Sequence, residues 1–192
     1  MWEPKCLNKN NSLPAKLAPE NDRMIDRFLT ALAGATARVP KHYFQLPVAG
    51  QREPLYRERV YSYELYHQLR VRLDDEGLVE HYALSGEIDK GGHPIIRHRC
   101  APDLVFHIPG AARNLVVVEV KPINARSDGI RKDIENLSYF VSPKVGYELG
   151  ALLVYGDARI TRFQTKMRDA GLRQLRLYWH QHPGARAELI RL

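Results

Sequence analysis

Residues 101–121 read APDLVFHIPGAARNLVVVEVK. Two apolar segments, LVFHI and LVVVEV, flank the pair Pro109-Gly110, a turn signal between strands. The stretch therefore reads as a β-hairpin. Its second strand is continuously apolar, the pattern of a strand covered on both faces. Asp103 opens the first strand, and Glu119 and Lys121 close the second. Residues two apart on a strand project to one face, so Glu119 and Lys121 point together and Val120 points away.

Outward from the hairpin, 79–89 is strand-like and is broken from it by Gly91-Gly92. Before that strand, the spacing predicts a long helix over 55–73, with Val60, Tyr61, Leu65, Leu69 and Val71 on one arc and Asp74, Asp75 and Gly77 as its stop. After the hairpin come a helix over 128–141 capped by Ser127 or Asp128, a strand at 147–156, a helix over 159–170 and a strand at 175–181. Ile130, Ile134, Leu137 and Val141 mark the apolar face of the first of these helices. Ile160, Phe163 and Met167 should face the core from the second. Upstream, Met24, Ile25, Phe28, Leu29 and Leu32 share a helical face that starts near Asp22 and stops at Gly34. Residues 35–54 carry three prolines and read as loop, and residues 1–20 as irregular chain. The expected organisation is an N-terminal arm (1–54) with one helix and a loop, then an α/β domain (55–192). A meander followed by a crossover helix implies a mixed sheet flanked by helices.

The chain has 192 residues, with 44% hydrophobic and 27% charged residues, as in soluble globular proteins. No run of about 18 apolar residues spans a bilayer, and the first residues do not read as a signal peptide. A cytoplasmic protein is expected. Cys6 and Cys100 form no CxxC pair, and His93, His98 and His107 show neither HxH nor HExxH spacing, which argues against zinc. The formal net charge is +7, and from residue 158 onward eight Lys or Arg face only Asp169 and Glu188. Such an excess suits a polyanion. Arg159, Arg162 and Lys166 fall together on a helical wheel and are the candidate phosphate-contacting stripe. Tyr61, Tyr63 and Tyr66 on the long helix are either packing residues or base-stacking platforms.

A carboxylate at the end of a strand buried on both faces costs free energy unless it is paired or metal-bound. Lys121 is one cation for two carboxylates. Asp103 and Glu119 supply hard oxygen ligands of the kind Mg²⁺ or Mn²⁺ prefers. Glu64 lies between Val60 and Val71, inside the expected apolar arc, and acting as an outer ligand of the same ion would explain it.

Pro102-Asp103, Glu119-Val120-Lys121 and a preceding helical Glu64 resemble the PD-(D/E)XK superfamily, the fold of many restriction endonucleases, junction resolvases and repair exonucleases. The resemblance covers about 60–156, including the order of helix, meander, helix and strand, and Arg131–Leu137 is similar to the helix after the catalytic strand in many members. It implies a restriction-endonuclease-like fold and a Mg²⁺- or Mn²⁺-dependent endonuclease acting on DNA rather than RNA. It also implies that Asp103 and Glu119 coordinate the ion, with the Val120 carbonyl contributing. Lys121 would position or activate water and, to act as a base, would need a lowered proton affinity. Glu64 would hold the outer sphere. Many such enzymes work as homodimers, and a membrane is not an expected partner. Two other readings stay open. One is a catalytically silent nucleic-acid-binding or assembly module on the same fold. The other is a structural or partner-binding protein whose basic tail meets an acidic partner. Taken singly, Asp103 could also be a turn residue after Pro102, Glu119–Lys121 a cross-strand salt bridge and Glu64 the partner of a nearby arginine.

Overall fold

The computed structural model describes residues 18–87, 101–110 and 113–192. Six strands form one mixed sheet in chain order: β1 (Ala83–Gly86), β2 (Leu104–Ile108), β3 (Arg113–Pro122), β4 (Tyr147–Tyr155), β5 (Leu175–His180) and β6 (Glu188–Ile190). The first three run as an antiparallel meander. Helix α4 (Ser127–Phe140) then crosses over, so that β4 lies parallel to β3. Helix α5 (Thr161–Ala170) repeats the move to β5, and β6 returns antiparallel. The mixed sheet flanked by helices is as expected. Strand β6 and the short helix α2 (Lys41–Phe44) are additions that the sequence pattern did not signal. Strand β1 is shorter than 79–89. The expected turn at Gly91-Gly92, with His93, His98, Asp89 and both cysteines, lies outside the described residues.

Burial on both faces explains the apolar run of β3. Val116, Val118 and Val120 pack toward α1 (Ala18–Thr36) and α3 (Glu58–Asp75), with Ala151, Leu153 and Tyr155 from β4. Val117 packs on the other side with Leu152, Val154 and Leu177, beneath Ile130, Ile134 and Leu137 of α4 and Phe163 and Met167 of α5. The segment expected as an arm contributes directly to the first core. Phe28 of α1 stacks on Phe106 of β2 at 4.5 Å, and Tyr82 stacks on the same ring at 5.2 Å.

The buried stripe of α3 is Tyr61, Leu65, Leu69 and Leu73. Val71 is exposed and Val60 half-buried, which corrects the expected arc. The correction matters for Glu64. Its place among core residues rested on Val60 and Val71, and both lie off the stripe. At the carboxyl end of β4, beside the end of β3, Gly156 has φ +127°, and a Cβ there would clash with Ile123. With Ile123 N–H donating to the Tyr155 carbonyl at 2.7 Å, the chain leaving β3 is clamped against the end of β4.

Phe106 sits between two rings and is fully buried. Phe106→Ala should lower the unfolding free energy by about 3–5 kcal/mol. Urea denaturation followed by far-UV circular dichroism checks this, and a loss below about 1 kcal/mol would show that the α1–β2 core is not what holds the sheet to its helices.

Candidate metal centre at the end of the third strand

The end of β3 places Glu119 and Lys121 on the α4 side of the sheet. Glu119 is 4% exposed, and its Oε1 accepts a hydrogen bond from Asn136 Nδ2 at 3.3 Å. Asp103 precedes β2, and the register Leu104↔Val118 sets it beside the last residues of β3. The Val120 N–H donates to Asp103 Oδ2 at 2.6 Å, a charge-assisted bond that fixes the carboxyl. Val120 thus enters the site through its backbone, while its side chain lies in the α1–α3 core.

Lys121 is clamped from two helices. Its ammonium lies 2.8 Å from Glu58 Oε2, in the first turn of α3, and 3.0 Å from Asp133 Oδ2 on α4. Asp133 is 5% exposed. Two carboxylates therefore hold the ammonium directly, and its charge also reaches the carboxyls of Asp103 and Glu119. Burial pushes Asp103 up to about 7, with the Val120 amide opposing and Glu58 adding to the rise. Burial, then repulsion from Asp103 and Asp133, holds Glu119 well above the ordinary carboxylate range. Asp133 is pushed up to about 6 by burial against the pull of Lys121. For Lys121, burial acts downward, but Glu58 and Asp133 outweigh it and raise its proton affinity. This runs against the lowered affinity expected of a base. Lys121 is a fixed cation here, suited to orienting water and stabilising negative charge.

The structure brings Asp103, Glu119, Val120 and Lys121 together. Glu64 stands apart: it is half-buried and accepts a hydrogen bond from Gln68 Nε2 at 2.7 Å. The helical carboxylate that reaches Lys121 is Glu58, six residues earlier. Sequence reasoning missed Glu58, Asp133 and Asn136. Asp133 had a signal, because it adjoins Ile130, Ile134 and Leu137 on the buried face of α4. Glu58 had one as well, because it stands three residues before Tyr61 and seven before Leu65, on the buried arc of α3.

Among the described residues, no group of three or more His, Cys, Asp or Glu side chains is arranged to hold a metal ion. The donor set still fits Mg²⁺ or Mn²⁺. Mg²⁺ usually takes one or two carboxylates and keeps several waters, and Asp103 and Glu119 are two neighbouring oxygen donors whose desolvation outweighs the hydrogen bonds and the Lys121 charge that favour their ionised forms. Asp103 and Glu119 would hold the ion, with Asp133 and Glu58 left to Lys121.

The candidate phosphate stripe is rearranged. Helix α5 begins at Thr161, because residues 156–160 are used in turning from β4, where Tyr56 Oη donates to Asp157 at 2.9 Å. Arg159 is thus exposed ahead of the helix and not on its face. Arg162 donates to the Ile123 carbonyl, two residues beyond Lys121. Lys166 lines a groove between α4 and α5 with Arg131 and Asp169. No helix among the described residues is long and apolar enough to cross a membrane. No protein-family model matches the chain, and no curated protein matches it.

The raised carboxyls carry a pH signature. A carboxyl whose folded value lies above its unfolded one stabilises the fold at low pH, and that contribution is lost as pH rises through the folded value. For Asp103 the loss runs from about pH 4 to just above 7. Buried His180, pushed down to about 4 by burial, works in the opposite sense, its contribution fading as pH falls below 6.5. A comparison with Asp103→Asn separates the two. In chelator, Asp103→Asn should be more stable than the parent, by about 1 kcal/mol at pH 8 and by less at pH 5. Thermal melts across that range check it, and an advantage independent of pH would rule out a buried, strained carboxylate.

Proposed function

We propose that the chain is a divalent-metal-dependent nuclease of restriction-endonuclease-like fold, hydrolysing phosphodiester bonds in DNA. The observation that carries the reading is the convergence of Asp103, Glu119 and Lys121 at the carboxyl end of β3, beside the α3 and α4 helices. The strand ends of open α/β sheets are where ligands characteristically bind. The basic excess near the C-terminus favours a polyanionic substrate.

A bound Mg²⁺ or Mn²⁺ would supply Lewis-acid stabilisation of the phosphate and a more acidic water. The chain supplies the rest. Asp103, fixed by the Val120 amide, and Glu119, fixed by Asn136, present oxygens from a wall that burial keeps dry. Lys121 keeps its proton and offers a positive charge where the attacking oxygen joins phosphorus and the bond to the leaving sugar oxygen breaks. Glu58 and Asp133 hold that ammonium from opposite helices, which limits where it can sit. Arg159 and Lys166, with Arg162 beside the chain leaving β3, provide cations for the flanking phosphates.

Plasmid, linear and single-stranded DNA, with RNA as comparator, test the reading in Mg²⁺ and in Mn²⁺. Cleavage should require the metal and fall by roughly 10²–10³-fold in Glu119→Gln and in Lys121→Ala. Cleavage that persists in both variants would overturn the site, and DNA binding without cleavage would favour the silent module. The two helical glutamates separate in the same assay. Glu58→Gln should slow cleavage about ten-fold or more, because it frees the Lys121 ammonium, whereas Glu64→Gln should leave it within about two-fold. The reverse order would restore Glu64 to the site.

A further inference from the structure

The three tyrosines of α3 do different things. Tyr61 is fully buried, stacked on Tyr155 at 3.8 Å, and its hydroxyl pairs with His180 Nδ1 at 2.8 Å. Tyr66 is half-buried, with its hydroxyl donating to the Leu84 carbonyl at 3.3 Å. Its ring lies against Gly86, where a Cβ would come 3.5 Å from it. Tyr63 is 57% exposed, the most exposed of the large hydrophobic side chains among the described residues.

Tyr63 and Tyr66 line a groove of about 350 Å³ with Ser62, Gly86, Glu87 and Asp103. The groove therefore shares a carboxylate with the proposed reacting centre. Its rim is fixed. Glu87 holds φ +43°, its N–H donates to the Asp103 carbonyl at 3.1 Å, and its carboxylate pairs with Arg59 Nε at 3.3 Å. Arg59, Tyr63 and Tyr66 stand at i, i+4 and i+7 on α3, so a cation and two rings run along one side of the helix.

We infer that this groove holds an unpaired nucleobase next to the scissile phosphate, stacked on Tyr63. The inference rests on the nuclease reading and names its substrate class: nucleic acid with a single-stranded or splayed segment at the cut. A base inside a duplex has both faces already stacked, so only an unpaired one can offer a face to an exposed ring. The volume suits one small planar group and its sugar rather than a duplex. Anchored through its hydroxyl, Tyr66 forms a floor, and Tyr63 is left as the ring able to stack. With Arg59 neutralising Glu87, the rim presents less repulsion to a phosphate strand than its two acids alone would.

The test compares a labelled single-stranded oligonucleotide with one of equal length built of abasic units, by fluorescence anisotropy in chelator, using the full chain. The backbone charge is the same in both, so the ratio of affinities reads the base contact alone. The parent should favour the base-bearing strand by about ten-fold. Tyr63→Ala should abolish that preference, and Tyr63→Phe should keep it. Deoxyribose and ribose versions of the strand distinguish DNA from RNA as the source of the base. Equal binding of both oligonucleotides, or a preference that survives in Tyr63→Ala, would overturn the inference. In either case, metal-dependent cleavage that still falls in Glu119→Gln leaves the nuclease reading standing. A Tyr63-dependent preference in a protein that cleaves nothing does the reverse, supporting the groove while the nuclease reading fails.

Discussion

Four carboxyls share one ammonium at the carboxyl end of β3, and the surrounding structure arranges itself around that imbalance. Lys121 can neutralise part of it, and it is already held by Glu58 and Asp133. Asp103 and Glu119 are left with burial and mutual repulsion, and both rise toward the protonated form. Apolar side chains of similar volume in place of such a cluster often cost nothing or stabilise. The cluster instead sits where the buried end of β3 meets the surface, with its geometry set by a backbone amide and by two helices.

The fold supports this in a direct way. Strand β3 is covered on both faces, so whatever projects from its last turn is enclosed by α4 on one side and by the start of α3 near its end. The crossover through α4 places Asp133 and Asn136, three residues apart, over Lys121 and Glu119, which are two apart on the strand. Gly156 and Ile123 lock the exit from β3 to the end of β4. The aromatic group of Phe44, Tyr61, Tyr155 and His180 fills the space beneath α3, with ring centroids 3.8 to 6.2 Å apart, and leaves the helix little freedom to shift.

Much of this was legible in the sequence, and the reason is local. The hairpin, the doubly buried β3 and the shared face of Glu119 and Lys121 follow from a period of two over a few residues. Helices α4 and α5 follow from a period of 3.6, with Ile130, Ile134, Phe163 and Met167 buried as the spacing requires. What failed was fine phase. Val71 and Leu73 stand two residues apart on α3, about 200° around the helix, so only one of them can face the sheet, and it is Leu73. Removing Val60 and Val71 from the stripe is enough to move Glu64 off it. Strand β6 was invisible because ELI is too short and too exposed to show alternation. The role of Asp133 depends on a contact between α4 and β3 that no local pattern encodes, although an acid beside Ile130 and Ile134 carried a hint.

Binding of Mn²⁺, followed by isothermal titration calorimetry in buffers of different ionisation enthalpy, tests the central claim without any substrate. The account predicts one saturable site that releases protons on binding, because the ion must displace them from Asp103 and Glu119. It also predicts that affinity rises between pH 6 and 8 and that binding is lost in Glu119→Gln. Absence of binding at millimolar Mn²⁺, or binding unchanged in Glu119→Gln with no proton release, would contradict it.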